Sequence, residues 1–138
     1  MISKKTKYGL KALVYLASSN QGEKTHIARI AESEKIPRKF LESIMLELKK
    51  AGYLGAQKGK GGGYYLLKGP EEIAISDVYR VLEGPIAPVP CVSLNFYEKC
   101  EDCKNEATCE IHLLMVKVRD SALDIYTNTF VSDLILQD

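Results

Sequence analysis

"GKGGGYYLL", residues 59–67, sets four glycines and a lysine ahead of two tyrosines and two leucines. What this loop serves decides how the chain is read. A P-loop requires Gly, four residues, Gly, Lys and then Ser or Thr, so that backbone amides, an ammonium and a hydroxyl converge on phosphates. That order is absent. A dinucleotide fingerprint needs glycines at i, i+2 and i+5, but from Gly59 the last place falls on Tyr64 and from Gly61 on Leu66. The flanks answer better. "YLGAQ" (53–57) and "YYLLK" (64–68) are strand-like runs, so the glycines form a hairpin tip, where positive φ carries little penalty and the backbone comes close to its target. Lys58 and Lys60 put charge on that tip.

Upstream, apolar residues recur at helical spacing. Between Ser3 and Ser19, Leu10, Leu13, Val14 and Ala17 form one stripe, with Tyr8, Ala12 and Tyr15 beside it, which predicts an amphipathic helix. "NQG" (20–22) ends it. Thr25 is placed to cap a second, short helix whose buried stripe is Ile27, Ile30 and Ala31 and which ends near Ser33. After "SEKI", Pro37 suits the first position of a third helix, where its missing N–H is harmless, and Gly52 closes it. Phe40, Leu41, Ile44, Met45 and Leu48 face inward there, which leaves Arg38, Lys39, Glu42, Ser43, Glu47, Lys49 and Lys50 outside. A short helix, a tight turn and a longer helix with a polar, cationic face read as helix-turn-helix. Three helices followed by a basic hairpin make a winged helix, with the third helix in a major groove and the wing against nearby phosphates or the minor groove.

Charge agrees. Residues 1–60 carry 13 Lys and Arg against 5 Asp and Glu, whereas residues 61–138 carry 6 against 13, within a net charge of only +1. A basic half beside an acidic one points to a polyanion for the first half. There is no apolar run of the length a membrane span needs, and "MISKKTKYGL" has no apolar stretch suited to a secretory signal. A cytoplasmic location and no membrane partner follow as expectations. No internal repeat or low-complexity tract appears, and His26 is assigned no role.

Beyond the wing, "IAI" (73–75) reads as a short strand, and Ser76 is placed to cap a helix through Asp77, Val78, Val81 and Leu82 to Gly84. "GPIAPVP" (84–90) forbids helix and forms a stiff connector. About 20 residues from Cys109 read as one long helix. One apolar line on it runs Ile111, Leu114, Met115, Val118, Ala122 and Ile125, and another runs Leu113, Val116, Leu123, Tyr126 and Phe130. One line rests on the helix's own domain and the other is left for a second copy, which predicts a homodimer suited to two-fold DNA half-sites.

All four cysteines, Cys91, Cys100, Cys103 and Cys109, lie in one segment, followed by His112. Without an export signal, and with enough apolar residues for a core, clustered thiols indicate metal rather than disulfides. Zinc takes four sulfurs or three and a histidine, but only Cys100 and Cys103 form a close pair. An iron–sulfur cluster takes four thiolate or mixed ligands without a need for pairs. Spacing leaves both open, beside a redox switch using Cys109 at a helix start and inert, partly buried thiols.

The order "KYGLKALVYLA", "IARIAESEKIPRKFLESIMLELKKAGYL", "KGKGGGYYL", "VLEGPIAPVPC" and the late C-x5-C-x2-H resembles the Rrf-two family of bacterial winged-helix regulators, the iron–sulfur and redox-sensing group typified by IscR and NsrR, over nearly the whole chain. The resemblance implies a homodimeric transcription factor whose cluster state changes operator binding. It places Cys91, Cys103 and Cys109 on the family's three cysteines, His112 on the histidine ligand of the two-iron branch, and Glu42 on a glutamate that discriminates operators. Cys100 is additional, so it is an alternative fourth ligand. Lys58 and Lys60 stand where the family usually shows "RGPGGGY", which weakens bidentate base readout. Lys7 stands where the nitric-oxide branch has an acidic ligand.

The expected fold is mainly α with a small β-hairpin: a winged helix-turn-helix over 1–84, a cysteine-bearing connector over 85–108, and a dimerisation helix with C-terminal tail over 109–138. The expected function is a dimeric, non-enzymatic transcriptional regulator on a pseudo-palindromic duplex operator, sensing iron–sulfur status, oxidants or nitric oxide. Its DNA-contacting residues are Arg38, Lys39, Glu42, Ser43, Lys58, Gly59, Lys60 and Gly61. Its ligands are Cys91, Cys103, Cys109 and His112 on an iron–sulfur cluster. The alternatives are a zinc-bound or metal-free regulator, and a thiol redox protein using Cys100 and Cys103, although the βαβ pattern such a motif accompanies is missing.

Overall fold

The computed structural model describes residues 2–19 and 22–135. The chain runs α1 (Lys4–Ser18), α2 (Ile27–Glu34), α3 (Arg38–Lys50), β1 (Leu54–Gln57), β2 (Gly63–Leu66), α4 (Ile75–Leu82) and α5 (Glu110–Thr127), with short 3₁₀ turns at Pro70–Glu72, Pro90–Val92, Glu106–Thr108 and Val131–Leu134. This is the mainly helical, winged architecture with one hairpin that the periodicities predict. Among the described residues no helix is long and apolar enough to cross a membrane.

The core is built where α1, α3 and α4 meet. Leu41, Ile44, Met45 and Leu48 of α3 are fully buried with Leu13, Ile30, Leu54, Ile73, Val78 and Val131, and Phe40 sits half-buried, edge-on to Tyr8 with ring centroids 5.7 Å apart. The inward stripe of α3 is therefore the predicted one. That of α1 is rotated: Thr6, Gly9, Ala12, Leu13 and Leu16 are buried, while Leu10, Val14 and Ala17 are only half-buried. The cause is close packing, since a Cβ on Gly9 would stand 2.2 Å from Leu82 Cδ1 and 3.3 Å from Ile44 Cγ2. Small residues let α3 and α4 press against that face.

Several caps differ from expectation. Thr25 does not cap α2. It is buried and forms an isolated antiparallel bridge with Tyr64, its N–H donating to the Tyr64 carbonyl at 2.9 Å and its carbonyl accepting from the Tyr64 N–H at 2.8 Å. His26 takes the N-cap position without a side-chain bond, and α2 ends at Glu34, one residue beyond Ser33, with Lys35 in the left-handed region at φ 56°. Pro37 is the N-cap of α3 rather than its first residue. Gly52, at φ 90°, follows α3 as predicted. Of "NQG", Asn20 and Gln21 lie outside the described residues.

The wing is antiparallel, pairing Leu54 with Leu66 and Gln57 with Gly63. Its tip turns through Gly59 and Gly61, both at positive φ, with Gly62 N–H donating to the Gly59 carbonyl at 3.0 Å.

"IAI" is not a strand. Only Ala74 bridges, to Phe130, and Ile75 already opens α4, so Ala74 is the N-cap and Ser76 lies inside the helix, buried. The partner of this bridge is the C-terminal segment, which packs back against α1 and inserts Val131, at 0% exposure, into the core. Phe130 is accordingly extended rather than helical.

Candidate nucleic-acid interface and cysteine cavity

Arg38, Lys39, Glu42 and Ser43 are exposed on the first two turns of α3, where the inward stripe leaves a polar surface. Arg38 and Glu42 form an i,i+4 pair at 3.6 Å, and the Ser43 hydroxyl donates to the Phe40 carbonyl at 2.8 Å. Glu47 is half-buried instead of outward-facing, because the Lys5 ammonium of α1 lies 2.9 and 2.8 Å from its two oxygens. Lys58, Gly59, Lys60 and Gly61 are all exposed at the tip of the wing. Sequence reasoning missed Lys24 beside the wing: its ammonium donates to Gln57 Oε1, at the tip end of β1, and lies 6.0 Å from the centre of the Tyr65 ring. Its only signal in the sequence is a lysine next to Thr25, whose bridge to Tyr64 local spacing does not show.

Cys91, Cys100, Cys103, Cys109 and His112 line one cavity of about 720 Å³ between the connector and the start of α5. Cys109 is the N-cap of α5, its Sγ accepting from the His112 N–H at 3.4 Å. One helical turn brings His112 to Cys91, with Nδ1 and Sγ 3.3 Å apart. This edge is near the sulfur-to-nitrogen separation of about 3.5 Å that ordinary bond lengths give two ligands around one tetrahedral metal. Among the described residues, no group of three His, Cys, Asp or Glu side chains is close enough to hold an ion together. The donors that fit a soft metal or cluster thus share a cavity, and one pair of them touches.

Cys100 is arranged differently. Its exposed thiol donates to Asp102 Oδ1 at 2.7 Å, and that hydrogen bond pushes the thiol up from its ordinary value while holding Asp102 down. Cys103 follows it in a turn, its N–H donating to the Cys100 carbonyl at 3.1 Å, with no helix start beneath the pair. A thiol that donates to a carboxylate, away from a helix N-terminus, lacks the activation a redox enzyme gives its attacking cysteine. Tyr97 closes the loop by donating to Glu106 Oε1, which raises the phenol's pKa.

Arg119 of α5, another residue that sequence reasoning passed over, donates to the Val92 carbonyl at 2.8 Å and ties the segment next to Cys91 to the long helix. Nothing in the spacing of a lone mid-helix arginine signals that partner. Of the second predicted line, Val116, Leu123 and Tyr126 are half-buried, with Tyr126 stacked on Tyr79 of α4 at 5.0 Å, whereas Leu113 is 51% exposed. On the other line Met115 and Ala122 are half-buried, while Ile111, Leu114, Val118 and Ile125 are open, Ile111 and Ile125 being 60% and 62% exposed.

The model of the Rrf2 family, described as an iron-dependent transcriptional regulator, matches residues 2–137. A protein of Rhodobacter capsulatus named as an HTH-type transcriptional regulator, rrf2-like, is 40% identical over 138 residues, covering 98% of this chain and 92% of the relative. The HTH-type transcriptional regulator CymR of Bacillus subtilis is 32% identical over 133 residues, covering 96% and 88%. The solved structure of CymR, titled the global cysteine regulator of B. subtilis, matches with a TM-score of 0.78 at 34% identity over 97% of this chain and 95% of that one. T. potens IscR matches at 0.75 with 25% identity over 97% and 85%. With its helices, wing and long C-terminal helix matched from end to end, the chain belongs to the Rrf2 family and is a transcriptional regulator, not an enzyme.

Proposed function

We propose that the chain is a homodimer that binds a pseudo-palindromic duplex operator and reads iron–sulfur status, oxidants or nitric oxide through a cluster in the cysteine cavity. Arg38, Lys39, Glu42 and Ser43 contact bases and phosphates of the major groove, while Lys58, Lys60 and the amides around Gly59 and Gly61 hold the wing on the backbone. The exposed line of α5, Ile111, Leu114, Val118 and Ile125, is the surface the second copy covers, since so continuous an apolar stripe on one helix is unstable in water. The unit boundaries at 84/85 and 108/109 belong to the same reading.

The observation that carries the cluster is the Cys91–His112 edge of 3.3 Å in a cavity shared with Cys103 and Cys109. A cluster bound there would be held by those four residues and would supply electron-transfer or ligand-exchange chemistry that the side chains lack. His112 is favoured over Cys100 as the fourth donor, because Cys100 is engaged with Asp102.

Anaerobic purification with a visible spectrum and iron, sulfide and zinc analysis tests the cluster. Brown protein with iron and sulfide, lost in His112→Ala and kept in Cys100→Ser, is the expected result. Colourless protein carrying zinc, or no metal, overturns the cluster while leaving DNA binding intact. Fluorescence anisotropy on duplexes selected from a random pool tests the DNA reading, and an absence of retention at low salt in every metal state overturns it.

A further inference from the structure

Leu82, Glu83, Gly84 and Pro85 join α4 to the segment that carries the cysteines, and each has a distinct task. Leu82 fills the space that Gly9 leaves open at the meeting point of α1, α3 and α4. Glu83, the C-cap residue of α4, turns its carboxylate to the start of α1. The Ser3 N–H donates to Oε1 at 2.7 Å, and the Ser3 and Thr6 hydroxyls donate to Oε2 at 2.7 and 3.1 Å. Thr6 is fully buried. α1 has no acidic residue in its own first turn, so Glu83 supplies the negative charge that a helix N-terminus favours from another element. Gly84, at φ 106°, then turns the chain into a connector stiffened by Pro85, Pro88 and Pro90, anchored by buried Ile86 and ending at Cys91. On the other side, Lys5 in the same first turn of α1 grips Glu47 of α3.

We propose that Glu83 is a positioning residue for DNA recognition: it clamps the first turn of α1 to the end of α4, so that a displacement of the cysteine segment passes through the 84–90 connector to α1 and, by the Lys5–Glu47 pair, to α3. A flexible connector would absorb such a displacement; one with three prolines transmits it. The inference rests on the proposed function only in taking α3 as the element that meets DNA.

The test needs neither DNA nor metal. All four thiols of the chain lie in the cysteine segment, so N-ethylmaleimide, confirmed by mass, places its bulk there alone. Amide hydrogen exchange of the full chain is then followed at residues 4–9 and 38–50. In the wild type the adduct should change exchange in both stretches by about fivefold or more, the lower range of ordinary coupling between sites. In Glu83→Gln the change should stay within residues 85–112, and Glu83→Asp, which keeps the charge on a shorter arm, should restore part of it. Thr6→Val, which removes one donor to Glu83, should weaken the response as well and serves where Glu83→Gln folds poorly. An unchanged response in both Glu83→Gln and Thr6→Val, or none in the wild type, overturns the proposal. A coupled chain that fails to retain duplex overturns the earlier reading instead.

Discussion

At position 63 a methyl group has nowhere to go. Gly63 sits at φ 133°, and a Cβ there would stand 2.5 Å from the backbone carbonyl of Thr25, which is fixed by its own bridge to Tyr64. Gly63→Ala should therefore lower stability by about 1–3 kcal/mol, the range for backbone held in a sparsely populated region, read as a shift in urea midpoint. Gly59→Ala, with open space around its absent Cβ, should lose only about 1 kcal/mol. Glu83 gives a pH test. Burial pushes its carboxyl up, but the hydrogen bonds from Ser3 and Thr6 outweigh this and hold it below its ordinary value of 4.5. The unfolded chain then takes up the proton first, so the contribution is complete above about pH 4.5 and fades as pH falls through the folded value. The stability gap between wild type and Glu83→Gln should shrink as pH is lowered from about 7 to about 3, followed by denaturant titration at each pH.

Among the elements, α5 carries the sharpest prediction. It has no fully buried residue, and while Val116, Leu123 and Tyr126 are half-buried, Ile111, Leu114, Val118 and Ile125 stay exposed. Leu114, half-exposed on the open line, should tolerate Glu without loss of helical signal. In the proposed dimer that charge would be buried without a partner, a heavy penalty. Leu114→Glu should move the mass measured by light scattering from about twice 15.4 kDa to 15.4 kDa. An unchanged dimer would place the interface elsewhere.

For the molecule as a whole, the division of charge is the governing feature. The basic first 60 residues contain α3 and most of the wing, and the acidic remainder contains the connector and α5, so attraction to a polyanion is confined to one part of the chain. Each phosphate contact adds about 0.9 to the slope of log affinity against log salt. Lys58→Gln with Lys60→Gln should accordingly weaken binding to all duplexes alike and flatten that slope by about 2. An unaltered slope would remove the wing from the contact.

Features that depend on neighbours along the chain could be read from residue order alone. The inward face of α3, the glycine tip at 59–61, the stop at Gly52 and the two lines of α5 were legible because helical period and turn chemistry act over a few residues. The cysteine segment was legible as a cluster of donors, but the contact of His112 with Cys91 needed the connector folded against α5. Long-range packing settled the rest. Thr25 became an extra rung of the wing, Ser76 went inside α4, the buried face of α1 rotated toward Gly9, and Val131 returned to the core. Glu83, one acidic residue among many in the sequence, became the partner of Ser3, the N-cap of α1, 80 residues earlier. A backbone donor left over at the end of an element pairs with whichever acceptor the fold brings within reach, and that partner is chosen by packing rather than by adjacency in sequence.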